Sequence, residues 1–454
     1  MYRSRPNPNP PVPNNSILPQ RGRCSVELMD GNSTVRVGVL GFGNVGAAVV
    51  ALIDENGDTI AARTGLRLEV SRIAVKDLHR PDRPRPLFTD DAASVVDDPD
   101  VDLVVEVVGG LDPAHKLVLA ALKAGKPVVT ANKELVAAHS AELFDAAAKA
   151  GVDLLFEAAV AGAIPLMRPL RESLAGDRIK RVLGIVNGTT NFILTRMTEN
   201  GQSFADALAE AQALGYAERD PTADVEGHDA AAKAAIIASL AFGIRVVADD
   251  VYCEGITGVA VDDIAMAGRL GYVVKLLAVI DEVNGEVAVR VHPAMVPVAH
   301  PLASVRESFN AVFVEGAAAG ELMFYGRGAG GRPTASAALG DVIDAAANLR
   351  QGTSAGVPGL AQARIRPIDE VHSQYYLSLD VADRAGVLEQ VAAAFARHTV
   401  SIVQVLQVGM DIEARLVLVT HTALERDMQA TVAELRDLDS VDRIGSLLRV
   451  IGAE

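Results

Sequence analysis

The sequence contains no tryptophan and only two cysteines in 454 residues. Cys24 and Cys253 are far apart and lie in no spacing typical of a metal site. Small secreted domains depend on disulfides, so this scarcity excludes a disulfide scaffold. We interpret both cysteines as free thiols in a reducing compartment.

Aromatic residues, positive charge and long apolar runs are scarce as well. Aromatic residues make up 4% of the chain, and the formal net charge is -16 at pH 7. Because nucleic acids and anionic membranes bind basic surfaces, both partners are disfavoured. No apolar run reaches the length of a membrane span, and the opening residues MYRSRPNPNPPVPNNS lack the apolar core of a signal peptide. We therefore expect a cytoplasmic protein.

The residues that are present favour a large α/β protein. The chain is 50% hydrophobic and 22% charged, an ordinary globular composition, and its length suggests about three domains. Alanine and valine dominate, which favours a parallel sheet covered by helices. The first residues are rich in Pro, Asn and Arg, so we expect a disordered tail over residues 1–33.

A glycine-rich turn follows the first apolar strand, Val35–Leu40, and precedes an amphipathic helix. Glycines at such a turn allow close approach of the backbone to a ligand, and the helix N-terminus attracts a pyrophosphate. A plain glycine turn is the alternative, which the flanking strand and helix disfavour. The predicted cofactor-binding residues of this turn are Gly41, Phe42, Gly43, Asn44, Val45 and Gly46.

The second strand, LEVSRIAVKD, ends where the ribose of a dinucleotide would lie. Its separation from the glycines exceeds the usual spacing of about 20 residues, which implies a long first helix or an insertion. Asp77 can hold the ribose hydroxyls of NAD, whereas Lys76 can meet the 2′-phosphate of NADP, and we favour NADP. The basic residues that follow are His79 and Arg80, which would support Lys76, and Arg83 and Arg85, which we assign to a solvated loop.

Further cofactor contacts are expected at the ends of later strands, because ligands of open α/β sheets bind outside the carboxyl ends of the strands. Gly109 ends the strand DVDLVVEVVGG, and Thr130 ends a strand three residues before Lys133. The position of Lys133 is equally compatible with a place in the cofactor-binding crevice at this edge of the sheet and with a surface charge. Gly331, in the segment GRGAGGRP, either approaches the nicotinamide end of the cofactor or belongs to a mobile loop.

The stretch Ala211–Lys233 concentrates acidic residues before an apolar helix. Pro221 interrupts any helix because it lacks an N–H group, and Asp224 can cap the next helix. Asp229 and Lys233 are four residues apart, so they share a helix face. Most acidic runs are solvated helix entrances, but the convergence of these acids on one lysine favours a site.

The patterns divide the chain into three domains. Residues 34–160 form a Rossmann-type nucleotide-binding domain, which a helix at 333–348 completes. Residues 161–332 form an α+β domain for substrate binding and dimerisation, with strands near 286–292 and 310–315.

A third unit follows a linker over residues 349–371. Residues 372–454 alternate strands and helices in the order βαββαβ. The first helix of this unit opens at a turn that contains Asp383 and Gly386.

Several motifs resemble those of homoserine dehydrogenases. GFGNVG, TANK, EAAVAGAIP and NGTTN occur in the family's order, so the resemblance covers residues 34–345. The C-terminal unit resembles an ACT domain, a ligand-sensing module of amino-acid metabolism. The usual Asp-x-Pro-Gly turn of ACT domains has Ala385 in place of proline, which predicts a less rigid turn. The other matching positions are Gly215, Glu218, Asp220, Pro221, Asp224, Gly227, Asp229 and Lys233.

The resemblance implies NAD(P)-dependent interconversion of L-homoserine and L-aspartate 4-semialdehyde, a step toward threonine, isoleucine and methionine. It also implies that Lys233 and Lys133 are catalytic, with Asp229 orienting Lys233. Lys233 is either the proton donor or an electrostatic support, and Lys133 either shares the proton or holds the alkoxide oxygen. The substrate-binding residues carried over by position are Glu218, Asp224 and Asp229, with the backbones of Gly215, Gly188 and Thr189.

The resemblance further implies a cation, an effector and an assembly. Asp383 and Gly386 would belong to an effector site for threonine, and both the family and the ACT unit suggest a homodimer or homotetramer. The positions that match the family's monovalent-cation site, usually a sodium site built largely from carbonyl oxygens, are Glu157, Val160, Gly162 and Ile164.

Two other functions remain as alternatives. An aspartate-semialdehyde dehydrogenase would need a cysteine nucleophile, and Cys253 has no histidine beside it in sequence. A non-catalytic sensor of dinucleotide and amino acid would not need the lysines and acids of the site, and their presence argues against it.

Overall fold

The computed structural model describes residues 33–78, 87–356, 359–410 and 413–452. The predicted tail lies outside the described residues apart from Ser33, which opens the first strand. Every helix in this part of the chain is too short or too polar to cross a lipid bilayer. Other residues discussed above that lie outside the described ranges are Cys24, His79, Arg80, Arg83 and Arg85.

The first domain is built on a parallel sheet. Its elements are β1 (Ser33–Leu40), α1 (Asn44–Thr64), β2 (Leu66–Ala74), β3 (Phe88–Thr89), α2 (Ala92–Val96), β4 (Leu103–Glu106), α3 (Ala114–Lys123), β5 (Val128–Thr130), α4 (Lys133–Ala150) and β6 (Leu154–Leu155). The strand order is β3-β2-β1-β4-β5-β6, and all the pairs are parallel. This order is that of the Rossmann fold and confirms the predicted fold of this region.

The middle of the chain forms a mixed layer of strands and helices. Its elements are β7 (Ile179–Ile185), α5 (Gly188–Asn200), α6 (Phe204–Ala213), α7 (Thr222–Val225), α8 (His228–Phe242), β8 (Ile244–Arg245), β9 (Tyr252–Cys253), α9 (Val261–Arg269), β10 (Tyr272–Val283), β11 (Glu286–Pro297), β12 (Phe309–Gly316) and β13 (Gly320–Arg327). The order β13-β12-β7-β10-β11 is antiparallel throughout, and α5 and α8 pack on one face. This arrangement is the expected α+β architecture.

A long hairpin of β10 and β11 dominates this sheet. The two strands pair without interruption from Tyr272 and Pro297 to Val283 and Glu286. The connecting Asn284 and Gly285 have φ values of 57° and 80°. Two left-handed residues in a two-residue turn match the twist of the strands, which is why Asn-Gly is favoured there. The sequence patterns predict β11 but not its partner β10.

The chain then returns to the first domain as α10 (Gly331–Gln351). α10 packs beside α1 over β1 and β4, where Val342 of α10 and Val49 of α1 are fully buried. Helices α3 and α4 cover the opposite face of the same sheet. The parallel sheet is therefore covered on both faces, as its continuous apolar strands require.

The C-terminal unit has the predicted βαββαβ order. Its elements, preceded by β14 (Ala361–Gln362), are β15 (His372–Ala382), α11 (Val387–Arg397), β16 (Ile402–Met410), β17 (Glu413–Thr420), β18 (Ala423–Leu424), α12 (Glu425–Arg436) and β19 (Val441–Val450). The four long strands lie in the order β19-β15-β17-β16, and α11 and α12 share a core with them. The fold is that of an ACT domain.

The ACT domain continues the sheet of the middle domain. β19 pairs in parallel with β11 through Ala294 with Arg449 and Met295 with Val450. Together the strands form one 11-stranded sheet. The preceding segment also lies against the middle domain, since β14 pairs with β8 and Ile365 bridges to Val287.

Candidate active site

Asp229 lies between two lysines that come from different domains. It belongs to the first turn of α8 and is 7% exposed. Its Oδ2 accepts hydrogen bonds from Lys233 Nζ at 2.7 Å and from Asn187 Nδ2 at 2.9 Å. Its Oδ1 accepts a hydrogen bond from Lys133 Nζ. The structure thus brings the three predicted catalytic residues together around one buried carboxylate.

Asn187 organises the acidic side of this cluster. It caps α5 by accepting a hydrogen bond from Thr190 N at 2.9 Å, and its amide donates to Asp224 Oδ1 at 2.6 Å and to Asp229. The sequence patterns mark Asn187 only as part of a polar turn. Its position between an apolar strand and a helix, where Asn is a preferred cap, is the signal that could have identified it.

The prediction that Asp224 caps a helix is wrong. Asp224 lies inside the short helix α7, and the residue that precedes α8 is Gly227, with φ of 85°. Gly227 takes the left-handed conformation because the chain must end one helix and begin another within a few residues. The Asp224 carboxylate is therefore directed to Asn187 and not to a helix N-terminus.

The charges of the cluster support one another. Burial acts to raise the pKa of the Asp229 carboxyl, but the charges and hydrogen bonds of Lys233 and Lys133 outweigh it and lower this pKa. Burial acts to lower the pKa of Lys133, but Asp229 outweighs it and raises this pKa. Asp229 is therefore ionised and Lys133 protonated at neutral pH.

Lys233 retains a donor for a ligand. Its Nζ donates to Asp229 and, at 2.8 Å, to the Val186 carbonyl at the end of β7. An ammonium has three donors, so these two bonds leave one. The side chain is 12% exposed, whereas that of Lys133 is 38% exposed. The two lysines therefore present their amino groups to the crevice between the domains, while the Asp229 carboxylate that holds them is buried.

The other predicted substrate residues lie in the first turn of α5 and in the loop between α6 and α7. Thr189, in the first turn of α5, donates from Oγ1 to the Tyr216 carbonyl at 2.7 Å, which fixes the loop containing Gly215. Gly188 lies so close to Ser308 that a Cβ would approach its carbonyl oxygen to 2.7 Å. Glu218 is exposed, and its carboxylate makes no hydrogen bond to the part of the chain that the structure describes. Its carboxylate is accessible to a ligand.

The glycine-rich turn connects β1 to the N-terminus of α1. Gly41 has φ of 102°, and its N–H donates to the Ala74 carbonyl at 3.0 Å. A Cβ on Gly46 would lie 2.2 Å from the Gly41 carbonyl oxygen, so only glycine fits. Gly331 meets this turn, since a Cβ there would lie 2.9 Å from the Asn44 carbonyl oxygen. The predicted glycine-rich segment 326–333 therefore reaches the nucleotide turn. The remaining turn residues are Phe42, Gly43 and Val45.

A buried glutamate fixes the neighbouring strand ends. Glu106, at the end of β4, is fully buried and accepts hydrogen bonds from Gly109 N at 3.1 Å and from Thr130 Oγ1 at 2.6 Å. Both predicted cofactor residues therefore lie at the carboxyl edge of the sheet. Lys76 lies at the same edge after β2 and is exposed.

The segment from Glu157 to Ile164 forms a short 3₁₀ helix followed by a turn, and most of its residues are buried. Gly162 has φ of 60°, and a Cβ there would lie 2.4 Å from the Gly328 backbone. The Glu157 carboxylate is occupied by backbone N–H groups, including that of Met167 at 2.7 Å. Among the described residues, no hydrogen bond ends on the carbonyls of Val160, Gly162 or Ile164. These three carbonyl oxygens are therefore available to a ligand, whereas the Glu157 carboxylate oxygens are engaged.

The predicted effector turn lies at the start of α11. Gly386 has φ of 91° and precedes the helix, and Asp383 is exposed beside it. The turn borders a pocket of about 270 Å³ that Gln407 of β16 also lines.

Cys253 has none of the properties of a nucleophile. Its thiol donates to the Glu226 carbonyl, with Sγ 3.2 Å from the oxygen. Burial, together with the nearby carboxylates, raises the pKa of the thiol to about 11. Reactive cysteines have lowered pKa values, so thioester chemistry at Cys253 is not supported.

Family models match nearly the whole described chain. The model of homoserine dehydrogenase matches residues 165–343, that of the NAD-binding domain of homoserine dehydrogenase matches 41–157, and that of the ACT domain matches 375–440.

Relatives and solved structures agree with these matches. A homoserine dehydrogenase from Corynebacterium glutamicum is 54% identical over 92% of this chain and 96% of its own length. One from Mycobacterium tuberculosis is 52% identical over 92% of this chain and 98% of its own length. The crystal structure of a homoserine dehydrogenase from Thiobacillus denitrificans has a TM-score of 0.88 at 40% identity, covering 93% of this chain and 99% of that chain. The resemblance seen in the motifs is confirmed: the chain belongs to the homoserine dehydrogenase family of NAD(P)-dependent oxidoreductases and carries a C-terminal ACT domain.

Proposed function

We propose that the crevice around Asp229 performs reversible hydride transfer between L-homoserine and L-aspartate 4-semialdehyde. The observation that carries this proposal is the buried carboxylate that holds Lys133 and Lys233 from two domains. The cofactor supplies the hydride, so the protein must supply position and a proton for the forming alkoxide. A pair of ammonium groups at the carboxyl edge of the nucleotide-binding sheet meets that need.

The two lysines have different tasks in this proposal. Lys233 donates the proton to the alkoxide, because it is the more buried of the two and retains one free donor. Lys133 stays charged and stabilises the oxygen, since Asp229 raises its pKa. Asp229 orients both side chains and does not transfer the proton itself.

Acidic side chains hold the amino group of the substrate. Glu218 is accessible, and Asp224 has one carboxylate oxygen engaged by Asn187. In this proposal the backbones of Gly188, Thr189 and Gly215 complete the binding of the amino acid, and the hydrogen bond of Thr189 to the Tyr216 carbonyl supports it by joining two of these segments. L-homoserine and L-aspartate 4-semialdehyde both carry this α-ammonium group, so charge complementarity at these positions favours both of them over an alcohol or aldehyde that lacks it.

NADP is the proposed cofactor, with Lys76 meeting its 2′-phosphate. Following reduced-cofactor absorbance with L-homoserine tests both the reaction and this choice. We expect turnover with each cofactor and a higher kcat/KM with NADP. Lys76→Ala should lower kcat/KM for NADP and leave that for NAD unchanged. An equal loss with both cofactors would contradict the assignment, and no turnover with homoserine would overturn the proposed reaction.

A monovalent cation, sodium in this proposal, would be held by the carbonyls of Glu157, Val160, Gly162 and Ile164. It would hold the start of the middle domain against the segment that contains Gly328, which Gly162 contacts closely. Replacing Na⁺ with tetramethylammonium at constant ionic strength should lower both activity and thermal stability. Unchanged values for both would exclude the site.

The ACT domain is proposed to sense threonine at the turn of Asp383 and Gly386, in a homodimer or homotetramer. Deletion of residues 372–454 is a poor test, because β19 pairs with β11 and so belongs to the 11-stranded sheet of the middle domain. Asp383→Ala in the full chain should instead weaken threonine inhibition without changing kcat. Unaltered inhibition would exclude this turn, and sedimentation analysis would determine the oligomer.

A further inference from the structure

Two histidines and a glutamate converge between α3 and α4, outside the crevice. His115 Nε2 lies 2.9 Å from Glu142 Oε2, and His139 Nδ1 lies 3.9 Å from the same oxygen. The two imidazole rings stack with their centroids 4.0 Å apart. The three candidate ligand atoms lie within 4.8 Å of one another. Both ring nitrogens therefore face one carboxylate.

The backbone of α4 is irregular at the same place. Within Lys133–Ala150 the helical geometry is lost at His139, with φ of -125° and ψ of 16°. Helix distortions usually arise from proline or glycine, and this helix contains neither. The distortion thus falls on the residue that stacks against His115, where a functional constraint explains it better than local sequence does.

We propose that His115, His139 and Glu142 bind a divalent transition-metal ion of the zinc class. Two imidazoles and one carboxylate form a three-ligand zinc set that leaves a position for water. Imidazole nitrogen suits zinc, nickel and copper, whereas magnesium and calcium prefer oxygen ligands. The side chains are 25%, 35% and 52% exposed, so the rings can turn by the small amount that metal–ligand bonds of about 2.0–2.2 Å require.

The surroundings permit entry of an ion. Glu142 lines an open groove of about 520 Å³ together with Asp145, Lys123 and Lys149, so solvent reaches the carboxylate. Lys116, on the same helix as His115, pairs with Asp112 at 3.0 Å and does not compete for Glu142.

Occupancy would connect two helices that flank the cofactor crevice. α3 follows β4, which ends at Glu106 and not at the predicted Gly109, and α4 begins with Lys133. A bound ion would therefore stabilise the nucleotide-binding domain beside a residue of the active site. Because a metal that binds only the folded state raises its stability, thermal unfolding reports occupancy without an activity assay.

The test uses the untagged full chain, freed of metal with a chelator that is then removed. Titration with Zn²⁺ followed by calorimetry should give one ion per chain and a higher Tm, and Co²⁺ should develop visible absorption. His115→Ala and His139→Ala should each weaken binding at least tenfold. The matched control is His398→Ala, because His398 lies 2.8 Å from Glu434 without a second histidine in contact among the described residues.

The Tm of each metal-free variant establishes that the variant is folded. If a histidine variant is not folded, the conservative Glu142→Gln takes its place in the comparison. Equal Zn²⁺ affinity in the unsubstituted chain and in folded His139→Ala or Glu142→Gln would overturn the proposal, as would absence of binding. A loss in His398→Ala equal to that in His139→Ala would do so as well. None of these outcomes depends on the proposed reaction.

Discussion

Two buried ionic clusters in this protein have similar composition with the charges reversed. At the crevice one carboxylate, Asp229, binds two lysines. At the junction with the ACT domain one guanidinium, Arg449, binds two carboxylates. Its Nη2 contacts Glu425 Oε1 at 2.7 Å and its Nη1 contacts Glu254 Oε2 at 2.8 Å. The central residues are 7% and 2% exposed.

The clusters differ in how fully the protein engages the more buried of their two outer groups, which is Glu425 at the junction and Lys233 at the crevice. Arg449 and Glu425 are both 2% exposed, and Glu425 also accepts a hydrogen bond from the Tyr375 hydroxyl at 2.9 Å. At the crevice, by contrast, Lys233 makes two hydrogen bonds and keeps one donor for a ligand. The remaining outer groups, Glu254 at the junction and Lys133 at the crevice, are each 38% exposed. The buried pair at the junction, Arg449 and Glu425, is engaged by the protein, whereas the crevice cluster presents donors to a ligand.

The choice of cation matches this difference. The guanidinium of Arg449 is planar and binds Glu425, within the ACT domain, through two parallel hydrogen bonds. Its Nη1 also reaches Glu254 of the middle domain, and this fixed geometry suits a permanent contact. A lysine has a flexible stem and a single ammonium, which suits a group that must follow a reacting oxygen. We infer that the crevice cluster serves chemistry and that the junction cluster serves cohesion, and the following variants test this contrast.

Lys233→Ala should have the largest effect. It removes the proposed proton donor, and general acid catalysis contributes about 10²–10⁴-fold, so kcat should fall by ~10³-fold while cofactor affinity stays near normal. Steady-state kinetics and a fluorescence titration with reduced cofactor measure the two quantities. Lys180→Ala, at an exposed lysine of β7, is the control. Substantial turnover in Lys233→Ala would refute its role as donor.

Arg449→Met should destabilise the enzyme but leave the kcat of the folded enzyme nearly unchanged. Removing one partner of a buried ion pair leaves uncompensated charge and costs about 3–5 kcal/mol. Denaturant unfolding measures the loss, and Arg397→Met, at an exposed pair with Glu434, should change stability little. If Arg449→Met lowered kcat as much as Lys233→Ala does, the contrast between the clusters would be false.

Asp229→Asn should lower kcat by roughly 10²-fold and change its pH dependence. Asp229 raises the pKa of Lys133 against the effect of burial, so its neutralisation lowers this pKa. Lys133 then loses its proton at lower pH, and the alkaline limb of the pH–rate profile should move to lower pH. A profile with unchanged limbs would show that Asp229 does not control the lysines.

Asn187→Ala should have the smallest effect, about tenfold in kcat/KM for homoserine. It removes hydrogen bonds to Asp224 and Asp229 that orient the carboxylates but do not contact the reacting oxygen. Asn187→Asp keeps the cap and adds a like charge, so it should be more harmful than Asn187→Ala. The reverse order would indicate that Asn187 matters only as a helix cap.

The sequence alone predicts the parts of the molecule that depend on local rules. The turn from Gly41 to Gly46 and the C-terminal βαββαβ order follow from strand, turn and helix patterns, and the structure contains both. The pairing of Asp229 with Lys233 follows from their four-residue spacing on a helix. Lys133 lies far from Asp229 and Lys233 in the sequence, so residue spacing does not predict their contact. Only the family resemblance implied that the three residues share one site.

Other features of the sequence carry signals beyond the periodicity of its strands and helices. Asn284-Gly285 is a strong hairpin signal, and it would have predicted β10. Arg449 interrupts the apolar strand LLRVIG, which is unusual unless the charge has a buried partner. The parallel pairing of β19 with β11 had no local signal, because parallel strands can be joined across any length of chain.

That pairing has a consequence for the order of events during synthesis. Chains fold from the N-terminus as they leave the ribosome, so the middle domain can form its hairpin while β19 is still untranslated. Until β19 has been synthesised, Ala294 and Met295 of β11 lack the strand with which they pair in the complete protein. An unpaired strand edge can pair with another chain, so premature termination or proteolysis ahead of β19 exposes a site for aggregation. Completion of the ACT domain is therefore also the step that protects the sheet of the middle domain from pairing with another chain.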